Sequence, residues 1–352
     1  MEEKKNIYWI NSVRAICMIF VYFAHAETFT FCMVQPFNYF FWPFYVNAFL
    51  VVSGYLFFRK QLFSDKCITQ TWKQYIGTNG EGRRLLGNIF CKLVIPTCIF
   101  AFVNYLPKKL IRGETIDIIS CAMDTIGGCS LWFTCALVVA QVIYFIILLS
   151  RKLDIHIYIA ISLLLAFLAI QIDKTNYIFW DNDNFPWFYK NGFMAMVYLS
   201  AGGLYYKYEE RIDNLLSVPW IIILFFSYIV IEYIFPDNAL SLISLRQMNL
   251  LGVYVSLVGS YLLIRLCKVL PKYSLIEWMG QYSLVFYFLS GGVPNVISDI
   301  FGRFVQDKYL LLIEVFVISI LIGAIATYII NRYLPSLLDI RIVKPGFKNL
   351  LS

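Results

Sequence analysis

The sequence predicts an all-α, polytopic membrane bundle of about ten helices, from three observations. Of 352 residues, 60% are hydrophobic and only 14% charged, against roughly 25% charged in soluble domains. The mean hydropathy is +0.69, and the apolar residues fall in long runs rather than ten-residue alternating strands, which excludes an outer-membrane barrel. Aromatic residues make up 18% of the chain, as suits side chains that pack in lipid and sit at both interfaces. The expected surroundings are membrane lipid, with no nucleic-acid partner.

Apolar segments of bilayer-spanning length, about 17–25 residues, occupy 7–29, 37–58, 89–106, 131–149 and 155–172. They continue with 192–206, 218–235, 250–266, 282–297 and 310–333. The sixth is short and the ninth contains Gly and Pro. No internal repeat or soluble stretch interrupts the series, so residues 1–352 are expected to form one transmembrane domain. The connection 59–88 is the longest polar one, and Gly77, Gly80 and Gly82 suggest loop there.

Lys and Arg counts in alternate connections set the orientation. With a cytosolic N-terminus, 20 of the 29 basic residues lie in inner segments and 8 in outer ones, leaving Arg14. Both termini are therefore expected in the cytosol, with 107–129 and 173–190 outside. The latter carries Asp173, Asp181, Asp183, Trp180 and Trp187, either an aromatic interface belt or a substrate platform. Lys4, Lys5, an apolar core and the tripeptide at 24–26 imitate a cleavable signal. Arg14 inside the core and Glu27 after the site argue against cleavage.

Nine cysteines are scattered without a C-x-x-C, and most read as small packing residues. Cys121 and Cys129 share one outer loop where a local disulfide is conceivable. Only two histidines are present, which leaves no basis for a zinc site. No bound cofactor or metal is expected.

The stretch RAICMIFVYFAH at 14–25 carries an arginine and a histidine in an oily run. Eleven residues of α-helix advance about 16 Å and turn about 1100°, which is 20° past three turns. Arg14 and His25 therefore share a face, with Asn11, Met18 and Tyr22 on the same stripe. An arginine at the centre of a membrane helix costs roughly 2.5–3.5 kcal/mol on insertion scales, and such residues mark sites or pathways. The plainer alternative is that Arg14 snorkels to the inner headgroups and His25 sits at the outer interface.

That stretch resembles the first helix of the acyltransferase-3 family, marked by an Arg and a His separated by ten residues. NAFLVVSGYLFFRK (47–60) is similar to the family's second helix, and SLWFTCAL (130–137) resembles its Leu-Trp-Phe start of the fourth. WMGQYSLVFYFL (278–289) looks like its late Gly-x-x-Ser-aromatic segment, and YLSAGGLYYK (198–207) fits less specifically. The likeness runs over nearly the whole chain. It implies a multi-pass enzyme of a bacterial inner membrane. Such an enzyme would move acyl groups, most often acetyl, from cytosolic acyl-CoA to carbohydrate hydroxyls of a surface polysaccharide or lipid-linked glycan. No appended esterase-like domain follows, so the membrane unit is expected to act alone or with a partner.

Departures are visible too. Ser290 and Ser130 stand where many members have His, and Ile89 and Lys92 stand at the family's Arg-x-x-Arg, with Arg83 and Arg84 about a turn earlier. The resemblance thus throws the chemistry onto His25, as base for the acceptor hydroxyl or as acyl relay. Arg14 would grip part of the carrier. Tyr22 and Glu27 are placed to orient His25 or simply to sit at the interface, and Trp132 either stacks on a sugar or anchors the boundary. Arg83, Arg84 and Lys92 form a dock for CoA phosphates, or only the positive-inside bias. Ser53–Gly54 and Gly202–Gly203 read as close helix-packing sites. The competing function is a polysaccharide-pathway transporter or flippase, or a scaffold of an assembly complex. Visible repeats and paired broken helices would favour the transporter.

Overall fold

The computed structural model describes residues 8–34, 40–63, 71–78, 80–149, 153–174, 185–216, 218–234 and 250–342. Among them no strand forms. The helices are α1 (Tyr8–Thr30), α2 (Tyr45–Gln61), α3 (Trp72–Ile76), α4 (Glu81–Ile89), α5 (Ile95–Arg112), α6 (Ile118–Thr125), α7 (Trp132–Leu148) and α8 (Ile155–Lys174). Then follow α9 (Tyr189–Leu215), α10 (Val218–Ile234), α11 (Leu250–Val269), α12 (Ser274–Gln281), α13 (Ser283–Ser290), α14 (Val293–Phe301) and α15 (Lys308–Tyr333). The protein is a multi-pass helical membrane protein.

Each of the ten apolar segments holds a helix, but fewer qualify as spans by length and composition. Among the described residues five helices do, or up to seven if each of two bent pairs counts as one span. The ninth segment is two half-helices, α13 and α14, meeting at 43°. Gly291, Gly292 and Pro294 interrupt the hydrogen-bond ladder there. Asn104 of α5 donates to the Phe288 carbonyl at 2.8 Å, satisfying a group the break exposes. The short sixth segment belongs to a longer helix, α9, whose backbone kinks at Tyr208.

The connection 59–88 is more helical than its glycines suggest. Thr71 caps α3 through a reciprocal capping box with Gln74. In α4, Gly82 packs on the ring of Tyr75, while Leu85 and Ile89 turn inward. A π-helical turn at Phe90–Val94 then joins α4 to α5. The acidic platform proposed at 173–190 lies largely outside the described residues. Cys121 and Cys129 are free thiols.

Helix α1 is the hub, packed against α2, α11, α12, α13, α14 and α15. It runs antiparallel to α2, because Trp9 meets Tyr55 while Phe20 meets Tyr45 and Phe41. Close approach requires small residues in helix seams. A Cβ on Gly54 would lie 2.5 Å from the Cα of Leu199, and one on Gly202 would lie 2.7 Å from the Tyr55 nitrogen. The α2–α9 crossing is thus made by two facing glycines, as the packing reading expected.

One end of the bundle gathers the start of α1 and the ends of α2, α9 and α11. There the Lys268 ammonium contacts Glu209 at 2.5 Å and Asp213 at 2.7 Å, and Arg265 reaches Asp213 at 3.1 Å. Tyr55 donates to Glu209 and Tyr205 to Asp213, while Tyr8 donates to the Lys268 carbonyl at 2.8 Å. Burial pushes the Asp213 carboxyl up, but Lys268, Tyr205 and Arg265 together outweigh it and hold the group below the usual range.

Candidate active site

A cavity of about 170 Å³ opens between α1, the start of α2, the start of α7 and α13. From α1 it takes Cys17, Met18, Val21, Ala24, His25 and Thr28; Trp42 and Phe49 lie opposite, beside Trp132, Phe133 and Tyr287. At 100° per residue, 14, 21, 25 and 28 fall within about 60° of arc. Arg14 therefore stands on the lining face of α1, one turn below its last lining residues. Sequence spacing placed Arg14 and His25 on one face, and the structure gives that face a cavity.

The imidazole of His25 stacks on Phe29, with ring centres 5.8 Å apart. His156, the other histidine, meets Tyr208 at 3.2 Å, away from the cavity on an exposed surface. His25 is therefore the cavity's imidazole. Ser290 and Ser130 bond to backbone: Ser290 donates to the Tyr287 carbonyl and Ser130 to that of Asp124.

Arg14 lies over the Phe49 ring, its guanidinium carbon 5.8 Å from the centroid. No carboxylate among the described residues pairs with it, and its Nε is buried without a partner. An arginine held this way has donors left for an anionic or carbonyl ligand.

The other sequence-chosen residues divide. Trp132 lines the cavity and packs edge-on against Phe133. Tyr22 is fully buried beside α13, where its hydroxyl donates to the Phe286 carbonyl at 3.0 Å. Glu27 is turned about 140° from Arg14; it is fully buried and accepts the Val34 N–H at 2.6 Å. Neither residue lines the cavity.

Arg83, Arg84 and Lys92 do not line it either. They are exposed on α4 and the π-helical turn. Arg84 pairs with Glu81 at 2.9 Å, and Lys92 lies 3.7 Å from Asp339. Arg341 reaches the same place, held by Asp339 at 2.8 Å and by Asn88 at 2.9 Å. Its hydrogen bonds keep the Asp339 carboxyl below the usual range.

Sequence reasoning missed Trp42, Phe49 and Tyr287. Each looked like an ordinary lipid-phase aromatic, and only the α1–α2 and α7–α13 contacts turn them toward His25's cavity.

Arg14 and His25 thus stand along one face of one helix, with an apolar chamber at the His25 end. The family model described as an acyltransferase domain (Acyl_transf_3) matches residues 7–332. The chain belongs to this acyltransferase family. No curated protein and no solved structure matches it.

Proposed function

We propose that this acyltransferase is a membrane O-acyltransferase using cytosolic acyl-CoA as donor and a carbohydrate hydroxyl as acceptor. The acceptor belongs to a cell-surface polysaccharide or lipid-linked glycan, and the enzyme resides in a bacterial inner membrane with both termini cytosolic. The observation that carries this reading is the shared α1 face, with His25 in the cavity and Arg14 beneath it.

The chamber's size favours a short acyl group such as acetyl. An engineered apolar cavity of roughly 150 Å³ holds benzene, so about 170 Å³ suits a thioester end better than a long chain. A hexose, with hydroxyls to satisfy, fits the apolar walls of Cys17, Met18, Val21 and Phe49 poorly. The sugar would meet His25 from the end marked by Thr28, Trp42 and Trp132. The carrier would be held from the opposite end by Arg14, with its phosphates toward Arg83, Arg84 and Lys92. The roughly 16 Å between Arg14 and His25 is then spanned by the carrier's flexible arm. His25 serves either as base for the hydroxyl or as acyl relay.

The test is thiol release from acetyl-CoA by purified protein, with and without a glycan acceptor. Wild type is expected to transfer, and His25→Ala to lose about 10²–10⁴-fold in rate at normal membrane abundance. A transporter or scaffold would release no thiol. Normal acylation by well-expressed His25→Ala would remove the imidazole from the chemistry.

A further inference from the structure

His25 lines the cavity, yet among the described residues no group hydrogen-bonds either imidazole nitrogen. Both nitrogens keep accessible surface, so they remain free for a substrate. An imidazole that handles a proton or an acyl group must nevertheless be held in one orientation. In many sites a carboxylate or carbonyl bonded to its far nitrogen does this. Tyr22 and Glu27, the sequence candidates for that task, bond elsewhere: Tyr22 to the Phe286 carbonyl and Glu27 to the Val34 N–H. Something else sets the ring.

The contact in place to do so is Phe29, one turn further along α1. Its ring lies against the imidazole with centres 5.8 Å apart and planes within 12°. Helical side chains lean toward the N-terminus, over the turn before their own, so position 29 delivers its ring to position 25. The outer torsion of a histidine side chain is broad by itself. A parallel aromatic face selects one plane for it and leaves both edge nitrogens unspent. Phe29 is itself held. Its carbonyl belongs to the last turn of α1, where carbonyls lack intrahelical partners, and Ser298 of α14 donates to it at 2.9 Å. The 43° bend after α13 turns α14 onto α1 there. Arg112 braces α14 from the end of α5, donating to Asn295 at 2.8 Å and to Asp299 at 3.2 Å.

We infer that Phe29 is a positioning residue for the reaction, fixing the plane of the His25 imidazole, and that Ser298 secures it through the end of α1. The inference rests on the acyl-CoA reading above. It holds for either role of His25, because a base and an acyl relay both need the reacting nitrogen aimed at its target. It also gives the broken span a use: α14 carries the hydroxyl that ties down the histidine's end of α1.

Phe29→Leu keeps an apolar side chain and loses the flat face; Phe29→Tyr keeps the ring. Phe29→Leu is expected to lower kcat for transfer from acetyl-CoA by about 10²-fold, the usual scale for a misaimed group, with KM for acetyl-CoA nearly unchanged. Phe29→Tyr should recover most of the rate, and Ser298→Ala should lose less than Phe29→Leu in the same pattern. A second readout needs no turnover. With only two histidines in the chain, isotopically labelled histidine gives two sets of ring signals by magnetic resonance, and His156→Gln tells them apart. The His25 signal carries the ring-current field of its neighbour, so it should move in Phe29→Leu and stay in place in Phe29→Tyr. Full kcat or an unmoved His25 signal in Phe29→Leu overturns the inference. An equal loss of kcat in Phe29→Tyr overturns it too, since the ring face would then not be what matters. Failure of Phe29→Leu to fold does the same, by making the ring part of the structure alone. Unchanged kcat in Ser298→Ala removes Ser298 from the arrangement. An inactive wild type would sink the acyl-CoA reading itself, whereas an active one with an unmoved signal sinks only the part given to Phe29.

Discussion

The guanidinium of Arg14 stands over the ring of Phe49, 5.8 Å from its centre, and that same ring lines the cavity holding His25. A cation over an aromatic face keeps its charge while staying out of water. The pairing sets the arginine beside a ring of the chamber wall.

Arg14→Lys keeps the charge and discards the planar fork. It is expected to reach the membrane in normal amount and to lose roughly 100-fold in transfer rate, as a misplaced positioning group does. Acetyl-CoA turnover by purified protein measures this. Full activity would reduce Arg14 to a generic positive charge and leave His25 untouched.

The basic groups on α4 should act on the carrier without entering the chemistry. Neutralising Arg83 and Arg84 together is expected to raise KM for acyl-CoA with kcat nearly unchanged, because remote attraction is uniform binding. Arg84 is already paired with Glu81, so Arg83→Gln alone should account for more of the effect than Arg84→Gln. Both side chains are exposed, and the effect should shrink in high salt. An unchanged KM would return the cluster to membrane orientation alone.

Gly202→Leu would drive a side chain into the backbone of α2, where even a Cβ lies 2.9 Å from the Val51 carbonyl carbon. Backbone cannot yield as a side-chain tip can, so the loss should exceed about 3 kcal/mol. Little folded protein should be recovered. Gly291→Ala is the control: a Cβ there meets nothing within 4 Å. Its yield and melting temperature should match wild type.

Asp213 has its carboxyl held below the usual range. A depressed folded value means the stabilisation is fully present above the unfolded value, about 3.9, and is lost as pH falls through the folded one. Melting temperature should not respond to this group between pH 7 and 5, and should drop below about pH 4. Asp213→Asn should melt lower at neutral pH, with the difference narrowing in acid. An equal gap at every pH would mean that packing, not charge, matters there.

The shared face of Arg14 and His25 was legible because helical periodicity is a local property. So were the tight seam at Gly54 and Gly202 and the helical content, since small residues and apolar runs carry their meaning in place. Orientation of Tyr22 and Glu27 was not legible. Spacing put them near His25, but whether they face the chamber depends on partners such as Phe286 and Val34. Trp42 and Tyr287 escaped notice for the same reason, lying far from His25 in sequence on elements whose docking no local pattern encodes. The π-helical turn at Phe90–Val94 likewise gave no signal in the residues themselves.

The reach of α1's contacts bears on how the protein is made. Tyr8 bonds to the Lys268 carbonyl and Tyr22 to that of Phe286, partners 260 and 264 residues away. A ribosome adds roughly 5–20 residues each second, so α1 is inserted well before these partners exist. Although inserted early, α1 is among the last helices to be completed. During that interval Arg14's surroundings must come from lipid, the insertion machinery or α2, the neighbour that follows it out. Phe49 belongs to α2, so the aromatic face that receives Arg14 is available early, long before the chamber around His25 can close.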